Sequence, residues 1–429
     1  MSNFVPEGWT INQLGKLTDV RSSNVDKKTD DAEIPVRLCN YMDVYRNNRI
    51  TSEIEFMEAT AKQGEIDRFS LEKGDVIITK DSETPDDIAV SAYVSESFTG
   101  VVCGYHLTLL RPHSNLANGQ FLSHLFQLQS VQHYFYLLAN GTTRFGLTAD
   151  AINAAPLLTP PLPEQQKIAT ILSSVDDVIE KTRVQIDKLK DLKTGMMQEL
   201  LTKGIGHTEF KDSPVGRIPV EWDVVHLESL VSIMESGWSP QCDSVPAKGC
   251  EWAVLKTTAV SWDGFDFTAN KKLPDELEPR PKIQVEVHDI LITRAGPAER
   301  VGVVSYVEHV PRRIMLSDKL IRIKAHHNQN PQFLSFWLST EFVRNYFSQR
   351  TTGLAQSQTN ISQDILKSLL CVVPPLAEQE TISSTISALE KQLMTKRNIL
   401  SHYEKMKKAL MQDLLAGKVR VKLNESAVQ

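Results

Sequence analysis

Pro160-Pro161-Leu162-Pro163-Glu164-Gln165, the segment that decides the fold, occurs a second time as Pro374-Pro375-Leu376-Ala377-Glu378-Gln379. The offset, from position 160 to position 374, is 214 residues. The same offset aligns Met196–Leu201 with Leu410–Leu415 without a gap. A gapless repeat over this distance indicates a duplicated structural unit and argues against two unrelated amphipathic helices.

Each copy is followed by a heptad pattern, in which mainly apolar residues recur at alternating spacings of four and three residues. Polar residues interrupt the pattern at the same two places, Thr182 and Lys193 in the first copy and Lys396 and Lys407 in the second. The positions are Ile168, Leu172, Val175, Ile179, Thr182, Ile186, Leu189, Lys193, Met196 and Leu200, then Ile382, Ile386, Leu389, Leu393, Lys396, Leu400, Tyr403, Lys407, Leu410 and Leu414. A pattern this long predicts two coiled-coil helices that pack on each other.

The ends of both helices carry signals of their own. Pro163 suits the first turn of a helix, where a missing N–H costs nothing, and Glu164 complements the positive end of the helix dipole. Gly204 and Gly417 are natural stops after the last apolar residues. About forty residues, at about 1.5 Å each, predict a helix about 60 Å long.

The repeat extends beyond the helices into the segments that precede them. Three further pairs align, namely Trp9 with Trp222, Lys73–Lys80 with Val287–Arg294, and Phe121–Phe126 with Phe333–Leu338. The second pair predicts a buried strand that ends at a threonine followed by a base, and the third an amphipathic helix. Segments 26–62 and 237–281 align poorly and are predicted to form short strands and loops. The chain therefore consists of a globular unit, a long helix, a second globular unit and a second long helix.

The loops before the long helices also correspond, Thr143–Thr148 with Ser357–Ser362. Their polar residues favour capping of the next short helix, and contact with a partner is the alternative.

Composition sets the outer limits of the interpretation. The chain has 429 residues, 23% charged and 41% hydrophobic, with a net charge of −6 and a pI near 6.0. Any DNA-binding surface must therefore be a local basic region. Five scattered cysteines without a C-x-x-C pair predict free thiols in a reducing cytoplasm, and neither a signal peptide nor a membrane span is evident.

Catalytic motifs were sought, because the chain could be an enzyme. It contains no P-loop, no G-x-G-x-x-G after a strand, and no Asn/Asp-Pro-Pro-aromatic methyltransferase motif. Asp191 and Lys193 could belong to a nuclease, but Lys193 falls in the heptad pattern, so a structural role is favoured. His326 and His327 have no second ligand cluster nearby in sequence.

Taken together, these features resemble the specificity subunit of type I restriction-modification systems. The resemblance covers essentially the whole chain and rests on both Pro-Pro-Leu-x-Glu-Gln motifs, the Trp9 and Trp222 entries, and the helix ends Gln198–Lys203 and Gln412–Lys418. The first helix ends Thr202-Lys203-Gly204 where the second ends Ala416-Gly417-Lys418.

The resemblance implies an α+β fold, in which two pseudo-symmetric α/β target recognition domains are separated and followed by long helices that form an antiparallel coiled coil. The implied limits are 1–157 for the first target recognition domain, 158–206 for the central helix, 207–371 for the second domain, 372–420 for the C-terminal helix, and 421–429 for a tail.

It also implies a non-catalytic subunit that recognises double-stranded DNA. Each domain would read one half of a bipartite target, while the coiled coil sets the spacing and docks two modification (methyltransferase) subunits. Two restriction subunits can then join, so that the complex methylates adenine and cleaves DNA. The chain itself is expected to bind no cofactor or metal, whereas its partners are expected to use S-adenosylmethionine, ATP and magnesium. A membrane partner is not expected.

Candidate DNA-binding residues are those that can reach base edges or phosphates from strand ends and from the poorly aligned segments. In the first domain they are Asn40, Tyr41, Arg46, Asn48, Lys80, Ser82, Thr84 and Arg144. In the second they are Trp238, Lys256, Thr257, Arg294, Arg300, Arg313 and Lys319. Asn47, Arg49, Thr258 and Trp262 belong to the same segments, and Arg312 forms a third basic cluster with Arg313 and Lys319. For any single residue, an ordinary solvated side chain is an equally good interpretation.

Two other classes of function stay open. One is a coiled-coil scaffold whose globular units bind proteins, which the acidic net charge favours. The other is a single-chain enzyme with a nuclease site that the motif search did not recognise.

Overall fold

The structure, a computed structural model, describes residues 5–351 and 359–423. The chain divides into two compact units: unit 1 runs to residue 184 and resumes at residue 397, and unit 2 comprises residues 185–396. Two predictions fall partly outside the described residues, namely the tail 421–429 beyond position 423 and the loop Ser357–Ser362 before position 359. The domain limits given above stay a prediction.

Unit 1 contains a five-stranded sheet in the order β2-β10-β6-β8-β4, a three-stranded sheet β5-β3-β9, and the pairs β1-β12 and β11-β7. The strands are β1 (Thr10–Gln13), β2 (Thr18–Ser22), β3 (Ile34–Cys39), β4 (Arg49–Ile50), β5 (Met57–Ala61), β6 (Val76–Thr79), β7 (Asp81–Ser82), β8 (Ser91–Val94), β9 (Val101–Cys103), β10 (Leu107–Pro112), β11 (Phe145–Gly146) and β12 (Pro156–Thr159). The helices are α1 (Leu14–Leu17), α2 (Tyr41–Arg46), α3 (Gln63–Phe69), α4 (Gly119–Phe126), α5 (Gln129–Leu138) and α6 (Ala149–Asn153). A long helix, α7 (Leu162–Thr202), follows and continues into unit 2.

Unit 2 repeats this plan with a four-stranded sheet β16-β25-β21-β23, a three-stranded sheet β20-β17-β24, and the pairs β15-β27, β22-β26, β18-β19 and β13-β14. The strands are β13 (Phe210–Ser213), β14 (Gly216–Pro219), β15 (Asp223–His226), β16 (Val231–Ser236), β17 (Ala253–Leu255), β18 (Val260–Ser261), β19 (Gly264–Phe265), β20 (Asn270–Lys272), β21 (Ile290–Thr293), β22 (Ala295–Gly296), β23 (Val304–Tyr306), β24 (Ile314–Met315), β25 (Leu320–Ala325), β26 (Thr359–Asn360) and β27 (Leu370–Val373). The helices are α8 (Pro331–Leu338), α9 (Glu341–Ser348), α10 (Gln363–Lys367) and the long α11 (Leu376–Leu414), which continues into unit 1. Short 3₁₀ turns lie at Pro85–Asp87, Leu227–Leu230, Thr257–Ala259, Pro281–Ile283 and Ala298–Arg300.

Within each unit, a segment of α7 packs beside a segment of α11. In unit 1, Asp176 pairs with Lys407 at 2.7 Å and Arg183 with Glu404 at 2.8 Å, so the partner number falls as the α7 number rises. The two segments are therefore antiparallel. All of the predicted heptad positions in both helices are buried or partly buried. The predicted fold class, with its antiparallel coiled coil, is confirmed.

Three of the four polar interruptions of the heptad pattern have a structural cause. Lys407 reaches Asp176 in unit 1, and at the matching positions of unit 2 Lys193 reaches Glu390 at 2.6 Å. A charged pair at a seam position favours one register over its neighbours. Thr182 is buried and donates a hydrogen bond to the Val178 carbonyl at 2.7 Å.

Glu164 and Gln165 of the first repeated motif attach helix α7 to the globular part of unit 1. The Glu164 carboxylate accepts hydrogen bonds from Trp9 Nε1 at 3.2 Å and from Arg420 at 2.8 Å. The Gln165 side chain accepts from the backbone N–H of Asn118, whose own side chain caps α4. The motif is therefore needed for attachment as well as for starting the helix.

The second motif repeats this arrangement with one change. Glu378 accepts from Trp222 Nε1 at 3.0 Å, while His207, at 2.9 Å, occupies the role that Arg420 has in unit 1. Gln379 accepts from the backbone N–H of Asn330, which caps α8.

Both α4 and α8 are buried over nearly their whole length, more completely than their amphipathic pattern predicts. The capping prediction for the loops is confirmed at Thr148 and Ser362, whose side chains accept from backbone N–H groups of α6 and α10. Gly204 and Gly417 take φ values of +65° and +66°, the left-handed conformation that ends a helix.

Candidate nucleic-acid interface

In unit 1, polar side chains converge where strand β6 ends. Lys80 follows the last strand residue, and its backbone N–H donates to the His106 carbonyl at 2.9 Å. The Lys80 ammonium lies 3.4 Å from the Ser23 carbonyl and 5.0 Å from the centre of the Tyr105 ring. Asp81 lies beside it, with Oδ2 at 3.3 Å from His106 Nδ1. We call Ser23, Lys80, Asp81 and His106 the strand-end site of unit 1.

Unit 2 has the same arrangement where β21 ends. The backbone N–H of Arg294 donates to the Lys319 carbonyl at 2.9 Å. The Arg294 guanidinium donates to Ser236 Oγ at 3.2 Å and to Asn360 Oδ1 at 3.3 Å. Ser236, Arg294, Lys319 and Asn360 form the strand-end site of unit 2.

The two sites correspond position by position. Lys80 and Arg294 are 214 residues apart, and His106 and Lys319, like Ser23 and Ser236, are 213 apart. In each unit one backbone hydrogen bond joins the two positions, Lys80 to His106 in unit 1 and Arg294 to Lys319 in unit 2. The side chains at these positions differ between the units. A constant scaffold with variable polar side chains is what two domains need to read two different sequences.

The candidates at 40–48 lie on and beside helix α2, so the prediction of strands and loops for this segment is wrong here. Asn40 accepts from the Met42 N–H and Asp43 from the Asn40 N–H, a capping box that starts the helix. The Tyr41 hydroxyl lies 3.2 Å from Ser82 Oγ, which joins α2 to strand β7, directly after Asp81 of the strand-end site. Burial raises the pKa of Tyr41, so its hydroxyl stays protonated and able to donate.

The remaining candidates of unit 1 differ in how free they are. Arg46, Asn48 and Arg144 are exposed to solvent. Thr84 is exposed and donates to Asp87 at 2.9 Å. Arg49 instead pairs with Asp177 of α7 at 2.5 Å, which accounts for it structurally.

In unit 2, a cleft of about 330 Å³ brings together candidates that are far apart in sequence. Lys256, Thr257 and Lys319 line it, together with Thr258. Lys271 of β20 also lines the cleft, although sequence analysis did not select it. Three lysines around one cleft provide the local basic surface that an acidic protein needs to bind DNA.

Three other candidates of unit 2, namely Arg300, Arg313 and Trp238, are engaged by their own unit. Arg300 donates to the carbonyls of Thr257 at 3.2 Å and Val260 at 3.1 Å, and Arg313 donates to the Cys250 carbonyl. The Arg280 guanidinium stacks on Trp238, with Cζ 3.8 Å from the centre of the Trp238 ring. These contacts brace the loops, and a DNA contact by any single one of these residues stays a prediction.

Metal ligands, membrane spans and cysteine pairs bear on other functions. Among residues 5–351 and 359–423, no group of three or more His, Cys, Asp or Glu side chains is placed to hold a metal ion. Within the same ranges no helix is long and apolar enough to cross a membrane. The five cysteines are unpaired. Lys193 is paired with Glu390 and partly buried, as its structural interpretation requires.

Comparison with known proteins decides the family. The family model described as "Type I restriction modification DNA specificity domain" matches residues 6–191 and again residues 219–401, most of the chain. The chain belongs to the family of type I restriction-modification specificity subunits.

Members of the family match this chain over its full length or over part of it. The MjaX type I specificity subunit of Methanocaldococcus jannaschii is 26% identical, over 97% of this chain and 95% of that protein. The EcoEI specificity subunit of Escherichia coli is 35% identical over 206 residues, 48% of this chain and 34% of that protein. The crystal structure of a type I S subunit from M. genitalium matches with a TM-score of 0.63 at 14% identity, over 99% and 98% of the two chains, which establishes the common fold.

Proposed function

We propose that each unit of this specificity subunit reads one half of a bipartite DNA target through its strand-end site and the segments beside it. The observation that carries this proposal is the equivalence of the two sites, which share backbone hydrogen bonds and differ in side chains. The Arg294 and Lys319 side chains can donate hydrogen bonds to guanine and to phosphate oxygens. The Tyr41 hydroxyl can donate or accept a hydrogen bond.

The long helices, in this proposal, set the distance between the half-sites and dock two modification subunits. Half-sites read by paired modules lie about 34–36 Å apart. Insertion of four residues between Ile186 and Leu189 adds about 6 Å of rise, close to two base pairs, and creates a stutter in the heptad. We expect a longer spacer with both half-sites retained, or an inactive complex. Methylation of the original motif at the original spacing and full rate would remove the helices from any spacing role.

The chain contributes recognition and no chemistry of its own. S-adenosylmethionine is the expected cofactor of the modification subunits, and ATP and magnesium are expected to act with the two restriction subunits. The complex would then methylate adenine within the recognised motif and, with restriction subunits, cleave unmodified DNA.

Methylome sequencing of cells with and without this chain tests the proposal directly. We expect a methylated bipartite motif that disappears with the chain. A protein-binding scaffold would leave the methylome unchanged, and magnesium-dependent cleavage by the isolated chain would identify a nuclease.

A matched pair of variants then tests the site. Lys319 is exposed at the end of β21, whereas Lys282 is exposed near its start, where Arg322 contacts both the Lys282 carbonyl and Asp289. Lys319→Ala should weaken DNA binding by the reconstituted complex and lower the salt slope by about 1. Lys282→Ala should do neither, and equal effects of the two substitutions would argue against the site.

A further inference from the structure

The strand-end site of unit 1 contains a histidine, His106, where that of unit 2 contains a lysine, Lys319. We propose that His106 is a DNA-phosphate contact of unit 1 that acts only when protonated, at the position where Lys319 gives unit 2 a permanent contact. This inference rests on the proposed function, since it requires that the strand-end sites face DNA.

The equivalence of the two positions is structural. The His106 carbonyl accepts from the backbone N–H of Lys80, and the Lys319 carbonyl accepts from that of Arg294, both at 2.9 Å. Each residue directly precedes the first residue of a central strand, β10 or β25. The His106 side chain is 36% exposed, so its ring can reach a partner in solvent.

The surroundings make His106 decisive for the local charge. Asp81 faces it at 3.3 Å and Lys80 approaches the same carboxylate oxygen at 3.9 Å, while Tyr105 packs against its ring with centroids 4.7 Å apart. With a neutral imidazole, the charges of Lys80 and Asp81 cancel and the site carries none. With an imidazolium the site carries one positive charge.

Unit 2 has no such dependence at the corresponding positions. Ala295 replaces Asp81, and the two charged side chains of the site, Arg294 and Lys319, are both basic. The two strand-end sites therefore differ in charge by two when His106 is neutral and by one when it is protonated.

DNA favours the charged form, because a phosphate beside the imidazole stabilises the imidazolium. Binding by unit 1 then takes up a proton, so its affinity rises as pH falls. Each neutralised phosphate adds about 0.9 to the slope of log affinity against log salt. The slope should therefore be steeper in mildly acidic than in mildly alkaline buffer.

The experiment uses the full chain with its modification subunits and a duplex that carries the motif found by methylome sequencing. Affinity is measured at about pH 6 and about pH 8, at salt concentrations of about 50 to 200 mM. For the wild-type chain we expect the slope at about pH 6 to be larger by about 0.9, so that the fourfold rise in salt costs about 3.5-fold more affinity there.

Reciprocal variants isolate the histidine from all others in the complex. His106→Gln should keep the shallow slope, and His106→Lys the steep slope, at both pH values. Lys319→His alone should double the change in salt slope between the two pH values. The double variant with His106→Lys and Lys319→His should show the change at unit 2 in place of unit 1. An equal pH effect in the wild-type chain and in His106→Gln would overturn the inference. Absence of any motif-specific binding by the wild-type complex would instead refute the proposed function and the inference with it.

Discussion

Replacement of His124 by phenylalanine should remove an acid sensitivity that is built into unit 1. His124 lies on α4 with 4% of its surface exposed, and its Nε2 is 3.1 Å from Ser173 Oγ. Its Nδ1 is buried without a hydrogen-bond partner, 3.9 Å from Asp176. Burial, followed by the positive charges of Lys407 and Arg49, lowers the pKa of His124 from 6.5 to about 3.

The sign of the effect follows from the two pKa values. Below pH 6.5 the unfolded chain binds a proton at this histidine, whereas the folded chain binds none until about pH 3. Stability from the neutral histidine is therefore complete above pH 6.5 and is lost as pH falls towards 3. At about pH 5 the difference of about 1.5 pKa units corresponds to about 2 kcal/mol.

Unit 2 supplies the matched control, because Phe336 occupies the position of His124 in α8. There Ser387, the counterpart of Ser173, donates to the Ser383 carbonyl at 2.7 Å, so the serine freed by the substitution has an acceptor in its own helix. Hydrogen exchange of α4 amides, read by mass spectrometry, limits the measurement to unit 1. Between about pH 7 and pH 5 the wild-type chain should lose about 2 kcal/mol more than His124→Phe. Equal losses would refute the assignment of a buried neutral histidine.

Three further expectations concern the helices and the DNA affinity. Lys407→Ala leaves the partly buried Asp176 without this ion pair and should lower the stability of unit 1 by about 3 kcal/mol in urea unfolding, whereas Lys193→Ala, at a more exposed pair, should cost about 1 kcal/mol. Glu164→Gln weakens the attachment of Arg420, so amides 411–421 should exchange faster with solvent while those of unit 2 do not change. The isolated chain should bind DNA weakly and with steep salt dependence, and nanomolar binding that is insensitive to salt would contradict this expectation.

The helices and their pairing could be predicted because each rests on a long periodic pattern or on a repeat. The strand that ends at Lys80 or Arg294 could be predicted as well, since an apolar run followed by a base occurs at both places. The helix at 41–46 was missed because its capping residues, Asn40 and Asp43, lie in a segment that does not align with its counterpart.

His106 was missed for a different reason. Its equivalence to Lys319 depends on the register of strands β10 and β25, and the local sequence around it resembles any short loop. Lys271 lies on β20 and lines the cleft of unit 2 only because β20 pairs with β17, a neighbour that sequence alone does not specify. Side chains that meet through sheet pairing need the fold before they can be recognised.

The central claim is that each unit reads its own half-site, and exchange of one unit tests it most directly. Residues 1–155 are replaced by those of another family member, and the methylome is sequenced in cells that carry the modification subunit. The account predicts a motif in which one half is new while the other half is unchanged. A motif in which both halves change, or neither does, would contradict independent recognition by the two units.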